Sequence, residues 1–275
     1  MSAIVRIMSL IAFGWALSLG AQAGEPEISA FLFGKYRDVP AVTKALTEKG
    51  FTVLSSEKVD KKGKLITVVF TSDELQTIAA KTNRGFGAVL RVLVNDTRHE
   101  IAVTNPVYFE KAFLQSEYNS KSVLAITKQL YQAFPTLKEG QEKLPVDTLA
   151  SYHFMMGMPY YQDTIQVGQG KHDRLVTALK NYKGGKRTLF VLKLSDRMHL
   201  VGLTLGNRTA KFIKKIGTRN AAVLPYTILI QDNAAYILNP KYYLALNYPT
   251  LKMSQFMTIA TVPGAIEKEC TRALK

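Results

Sequence analysis

Asn105-Pro106-Val107-Tyr108-Phe109 returns 134 residues later as Asn239-Pro240-Lys241-Tyr242-Tyr243, and Ala88-Val89-Leu90 returns at the same spacing as Ala222-Val223-Leu224. The same register pairs Gly34 with Gly168, Val42-Thr43 with Val176-Thr177, and Gly50 with Gly184. One register held over about 75 residues at low identity is the mark of a duplicated folding unit. In such units the pattern of apolar segments and breakers outlasts the residues themselves. The chain is therefore expected to form two tandem homologous domains.

Each copy runs through strand-like and helix-like segments in one order. In the first, residues 28–33 are strand-like and Asp38-Val39-Pro40 opens a helix to about Lys49. Proline suits that first turn because its missing N–H has no partner there in any case. Gly50 ends the helix, and residues 51–54 begin a strand. Residues 65–70 are β-rich, and Ser72 caps a short helix over 73–81 whose first turn holds two acidic residues. Residues 88–94 and 101–104 form a hairpin about Asn95-Asp96. The second copy predicts strands at 164–167, 188–194 and 199–205, and helices over 172–182 and from Asn207 to Ile216. A hairpin of 223–230 with 235–238 closes it. Each unit is thus an α+β two-layer domain, a mostly antiparallel sheet of four or five strands with helices on one face.

A helix over 120–134, with Val123, Ile126 and Leu130 on one side, and a polar stretch at 138–147 separate the copies. The expected organisation is a leader over 1–23, a first repeat over 24–145, an interdomain segment over 146–161 and a second repeat over 162–275.

The leader is read from Arg6, an apolar run to Leu19, and Ala21-Gln22-Ala23, the small-x-small pattern of a signal-peptide cleavage site. Cleavage before Gly24 predicts a periplasmic protein with no later membrane-spanning stretch. Without the leader the chain carries 35 basic against 21 acidic residues, a net charge of +14. In an exported protein that balance points to envelope polyanions or peripheral contact with anionic membrane, and not to nucleic acid. Lys61-Lys62, residues 183–187 and Lys214-Lys215 also lack the interleaved aromatics of a base-stacking platform. Cys270, the only cysteine, permits no intrachain disulfide, and near the C-terminus it is open to a dimer cross-link or to reaction with a partner.

The run Leu200-Val201-Gly202-Leu203-Thr204-Leu205-Gly206-Asn207 precedes a helix, then Ala222-Val223-Leu224-Pro225-Tyr226-Thr227-Ile228-Leu229-Ile230 and the closing Asn239-Pro240. This succession resembles a widespread bacterial domain family of unknown function with a TATA-binding-protein-like α+β fold. The first copy matches it more loosely at Thr71-Ser72, residues 88–94 and Asn105-Pro106, with Arg91 where the second copy has Pro225. The resemblance implies a fold and a duplication. It carries no catalytic residue and no DNA-binding role, since function belongs to sites and not to folds.

The densest candidate chemistry is His153-Phe154-Met155-Met156-Gly157-Met158-Pro159-Tyr160-Tyr161, between the copies. His153, Met155, Met156 and Met158 offer imidazole and thioether donors suited to Cu(I). Haem is the related alternative, without a CxxCH attachment motif. The competing expectation is that Phe154, Met155 and Met158 fill an irregular seam between domains. Tyr108, Phe109, Tyr242 and Tyr243 follow the two Asn-Pro pairs and are expected to wall a ligand groove between the units, or else to form the core under each sheet.

His99, His153, His172 and His199 show no HxH or HExxH spacing, so no sequence-local zinc site is predicted. There is no GxSxG elbow, no GxGxxG loop and no recognisable carboxylate pair. The sequence favours a non-enzymatic binding or envelope-accessory protein for a small molecule or peptide, apolar or anionic. No cofactor is predicted, and copper or haem handling or an enzyme of unrecognised type are the alternatives.

Overall fold

The computed structural model describes residues 26–275. The leader and its Ala21-Gln22-Ala23 motif lie outside the described residues. The first half runs β1 (Glu27–Ser29), β2 (Phe31–Lys35), α1 (Val39–Thr47), β3 (Thr52–Lys58), β4 (Leu65–Thr71) and α2 (Asp73–Ala79). A 3₁₀ turn (Gly85–Ala88), β5 (Leu90–Asn95), β6 (Glu100–Thr104) and α3 (Pro106–Leu114) complete it. Then come a 3₁₀ turn (Gln115–Glu117), α4 (Ser120–Ala133), β7 (Lys138–Glu139), β8 (Lys143–Pro145) and a third 3₁₀ turn (Val146–Ser151). The second half runs β9 (Ile165–Gln169), α5 (His172–Lys180), β10 (Thr188–Ser195), β11 (Met198–Leu203), α6 (Asn207–Ala210) and α7 (Ile213–Ile216). After a 3₁₀ turn (Ala221–Val223), β12 (Tyr226–Gln231), β13 (Ala234–Ile237), α8 (Pro240–Asn247), α9 (Met253–Met257) and α10 (Val262–Arg272) finish the chain.

The fold is α+β, and its two large sheets share one strand order. The first is β3-β4-β5-β6-β2-β7 and the second is β10-β11-β12-β13-β9, with every neighbouring pair antiparallel. The strand β7 is an addition at the edge of β2. With β8, which pairs with β1, it ties the stretch expected to be a polar linker back onto the first half. The central strands read LITVVFT and LRVLVN in the first sheet, β-branched and apolar on both faces. Leu32, Val68, Val92 and Val103 alternate onto one face, under α1, α2 and α4. Phe31, Val69, Leu93 and Ala102 take the opposite face and join a core that continues through the second half.

The halves meet through reciprocal contacts. The Tyr108 hydroxyl donates to the Leu246 carbonyl at 2.8 Å, and its counterpart Tyr242 donates to the Ala112 carbonyl at 3.5 Å. Arg91 Nη2 reaches the carbonyl of Pro225, its own register mate, at 3.4 Å. Contacts of i with j matched by j with i mean that like surfaces face each other across a pseudo-twofold axis. Gly85 sits in this interface: a Cβ there would lie 2.4 Å from Leu229 of the other half.

Candidate functional site

The four aromatics expected to wall a groove are Tyr108, Phe109, Tyr242 and Tyr243, and all four are buried, none above 4% exposed. They pack with Phe113, Tyr161 and Tyr226 at ring separations of 5.1–6.3 Å. The groove expectation is corrected: these rings are the core where the halves join. The cause is that Asn105-Pro106 and Asn239-Pro240 each start a helix, which carries its aromatics inward. Each ring of this size removed from water contributes on the order of 2–3 kcal/mol.

Cys270 is likewise fully buried on α10, and burial pushes its thiol well above the usual range. A dimer through this residue is therefore excluded in the folded chain, because thiol exchange needs an accessible thiolate.

The interdomain segment forms a strap instead. The Val146 N–H donates to the Pro26 carbonyl at 3.0 Å, and Leu149 is buried. At the far end the Tyr161 hydroxyl donates to the Asn83 carbonyl at 2.5 Å. Between these anchors the chain turns at Gly157, whose φ of +79° favours glycine. The Phe154 ring lies 5.5 Å from Phe256 of α9, and Tyr152 lies 6.0 Å from Tyr242.

Strap and second half border an open cavity of about 730 Å³. Tyr152, His153, Phe154 and Met155 line one side, and Leu251 and Met253 face them. Thr148, Ser151 and Lys252 supply its polar rim. His153 stands edge-on to Tyr160 at 4.5 Å, and its Nδ1 is closed to solvent without a hydrogen-bond partner. A buried ring nitrogen left unpaired costs stability.

The four candidate copper ligands separate. His153 and Met155 line this cavity, whereas Met156 is 95% exposed and Met158 packs against the core. The expected seam is realised at Phe154 and Met158. Met253, which the sequence did not single out, joins His153 and Met155 at the cavity because α9 folds over the strap. Among the described residues no three His, Cys, Asp or Glu side chains cluster as a metal site.

A second constellation was hidden by sequence distance. His172 Nε2 and His199 Nδ1 lie 2.9 Å apart, and His172 Nδ1 is 2.9 Å from the Asp232 carbonyl. Burial first, then the neighbouring His172 and Lys193, lower the basicity of His199. Their facing nitrogens share one hydrogen and so do not converge on a third atom.

Comparison of the chain with protein-family models, curated proteins and solved structures yields no match. No described helix is long and apolar enough to cross a membrane.

Proposed function

We propose that this is an exported, non-enzymatic binding protein that takes up an apolar anion, such as a long-chain carboxylate, in the strap cavity. The observation that carries the reading is a cavity of about 730 Å³ lined by Tyr152, Phe154, Met155, Leu251 and Met253, with Lys252 among its lining residues. That volume falls within the usual range for small-molecule sites, and its aromatic, leucine and methionine lining suits an alkyl chain. Lys252 and the hydroxyls of Ser151 and Thr148 offer donors to a carboxylate at the cavity. The shared strand order of the two sheets supports reading the halves as copies of one unit, with the strap as the functional addition between them.

The test is calorimetric titration of the leaderless protein with dodecanoate and with dodecanol. Single-site binding is expected for the carboxylate, with the alcohol weaker by about tenfold or more, since a charge-assisted hydrogen bond contributes about 1.5–3 kcal/mol. Met253→Trp, which narrows the cavity, should weaken uptake several-fold. Absence of saturable binding, or undiminished binding by this variant, sinks the reading. Parallel titration with Cu(I) addresses the soft-ligand alternative, which His153, Met155 and Met253 at one cavity support.

A further inference from the structure

Few large apolar side chains are exposed on this protein, and they are not scattered evenly. Among the described residues, Leu124 and Tyr131 on α4 and Val191 on β10 stand apart, whereas Met155, Met156 and Tyr160 lie on the strap and Met257 on α9, with Met156 95% and Met257 61% exposed. The Phe154–Phe256 ring pair holds strap and α9 together, so these side chains flank a single feature. Within α9, Met253 lines the cavity and Met257 follows one turn later, on the same side of the helix. The exposed methionines therefore border the cavity mouth.

Lysines lie at the cavity and on the helix that packs against α9. Lys252 stands on the cavity rim. Helix α7 packs against α9, with Lys215 Nζ donating to the Thr258 carbonyl at 3.0 Å, and it carries Lys214 beside it. Lys61, from the β3–β4 turn of the other half, meets Lys211 and Lys214 across a small cleft. Two basic runs some 150 residues apart in the sequence thus come together. Among the described residues none of Lys61, Lys211, Lys214, Lys215 and Lys252 is within 4.0 Å of a carboxylate. The nearby acids are already engaged. Asp60 accepts from the N–H groups of Lys62, Lys64 and Leu65, and Glu142 accepts from Asn220 and Thr250.

We infer that this face docks on an anionic lipid bilayer, the methionines entering the headgroup boundary and the lysines engaging acidic headgroups. The two ingredients are those of an interfacial anchor: exposed apolar side chains give insertion, and unpaired cations give attraction to anionic lipid. A nucleic-acid surface would call for planar rings interleaved with the cations, whereas the exposed groups here are chiefly flexible thioethers. The inference rests on the cavity reading only for its purpose, which is exchange of an amphiphilic anion between bilayer and cavity.

Cosedimentation of the leaderless protein with vesicles of phosphatidylcholine alone, or mixed with phosphatidylglycerol, tests it. Binding is expected only to the mixed vesicles and should fall with added salt. Met156→Asp with Met257→Asp, and separately Lys214→Glu with Lys215→Glu, should each weaken it by roughly tenfold or more. The control Lys121→Glu with Lys128→Glu on α4 should bind as the parent does. No binding to mixed vesicles, or equal binding to neutral ones, overturns the inference. So does full binding by the methionine variant, which would leave a purely electrostatic polyanion surface. Circular dichroism and melting of each variant exclude unfolding as the cause of a loss. Dodecanoate titration of the same variants separates the two readings, because neither pair lines the cavity. Docking without dodecanoate uptake defeats only the cavity reading, and uptake without docking defeats only this one.

Discussion

Glu110 is the residue most at odds with its surroundings. It lies on α3 at 0% exposure, and neither carboxylate oxygen has a partner. Its register mate is Leu244, so the second half places a hydrocarbon where the first places an acid. Gly87 makes room for it, since a Cβ there would stand 2.5 Å from Glu110 Oε2. Burial raises its carboxyl well above the ordinary value, so the folded chain holds it protonated where the unfolded chain ionises. The sign follows from linkage. The cost is absent below the ordinary glutamate range near pH 4, then grows as pH rises through that range until the folded carboxyl itself ionises. Glu110→Leu should therefore stabilise the protein at neutral pH by on the order of 1–3 kcal/mol and flatten that decline. Urea unfolding at pH 4 and pH 8 measures it, and parallel profiles for parent and variant would clear Glu110 of the effect. Nothing in Val107-Tyr108-Phe109-Glu110-Lys111 announces this burial, because a glutamate beside a lysine looks like a solvated face. The orphaned Nδ1 of His153 was equally invisible, since it depends on where α9 lies and not on neighbours in sequence.

Strands and the first two helices were legible because their signals are local. Asp38 accepts from the Ala41 N–H at 2.9 Å and Ser72 from the Leu75 N–H at 3.2 Å, as good caps should. Helices α3 and α8 were missed for a physical reason. They are buried on nearly all sides, so they lack the one-sided stripe that betrays a helix. Asn-Pro can end a strand, and it is also a cap followed by a first-turn proline. The single helix expected from Asn207 to Ile216 breaks into α6 and α7, with Gly206 at the N-cap of α6. The two Asn-Pro caps are not equal. Asn105 accepts from the Val107 N–H at 3.2 Å and also donates from Nδ2 to the buried Ser29 carbonyl at 2.9 Å. Asn239 accepts from the Lys241 N–H at 3.1 Å alone. Asn239→Ala should cost about 1 kcal/mol, the usual value of a cap, and Asn105→Ala about 2–3 kcal/mol because a buried carbonyl loses its donor as well. Equal shifts in denaturation midpoint would refute the difference.

Across the whole molecule, the 134-residue register predicted two units, and the sheets do share one strand order. How the units face each other could not be read, because the residues at the axis differ in kind: Arg91 meets Pro225, and Gly85 corresponds to Arg219. Arg219 instead reaches across to Glu100 with two hydrogen bonds of 2.9 Å, its guanidinium 3.7 Å from the Phe33 ring centroid. Such contacts, and a core shared by Phe31, Tyr108, Tyr226 and Tyr242, leave neither half a complete interior. The first half does own a second core under α1, α2 and α4, built around Phe70 and Leu46. Two outcomes of unfolding are therefore distinguishable. If the shared core dominates, hydrogen exchange in β4–β5 and in β11–β12 should lose protection at one denaturant concentration, as a single cooperative unit does. If the private core suffices, β11–β12 would open first and β4–β5 later. The reciprocal tyrosine bonds and the burial of both central strand pairs argue for the first outcome. Mass-spectrometric exchange across a urea series decides it, and two separated midpoints would show the halves to be independently stable domains.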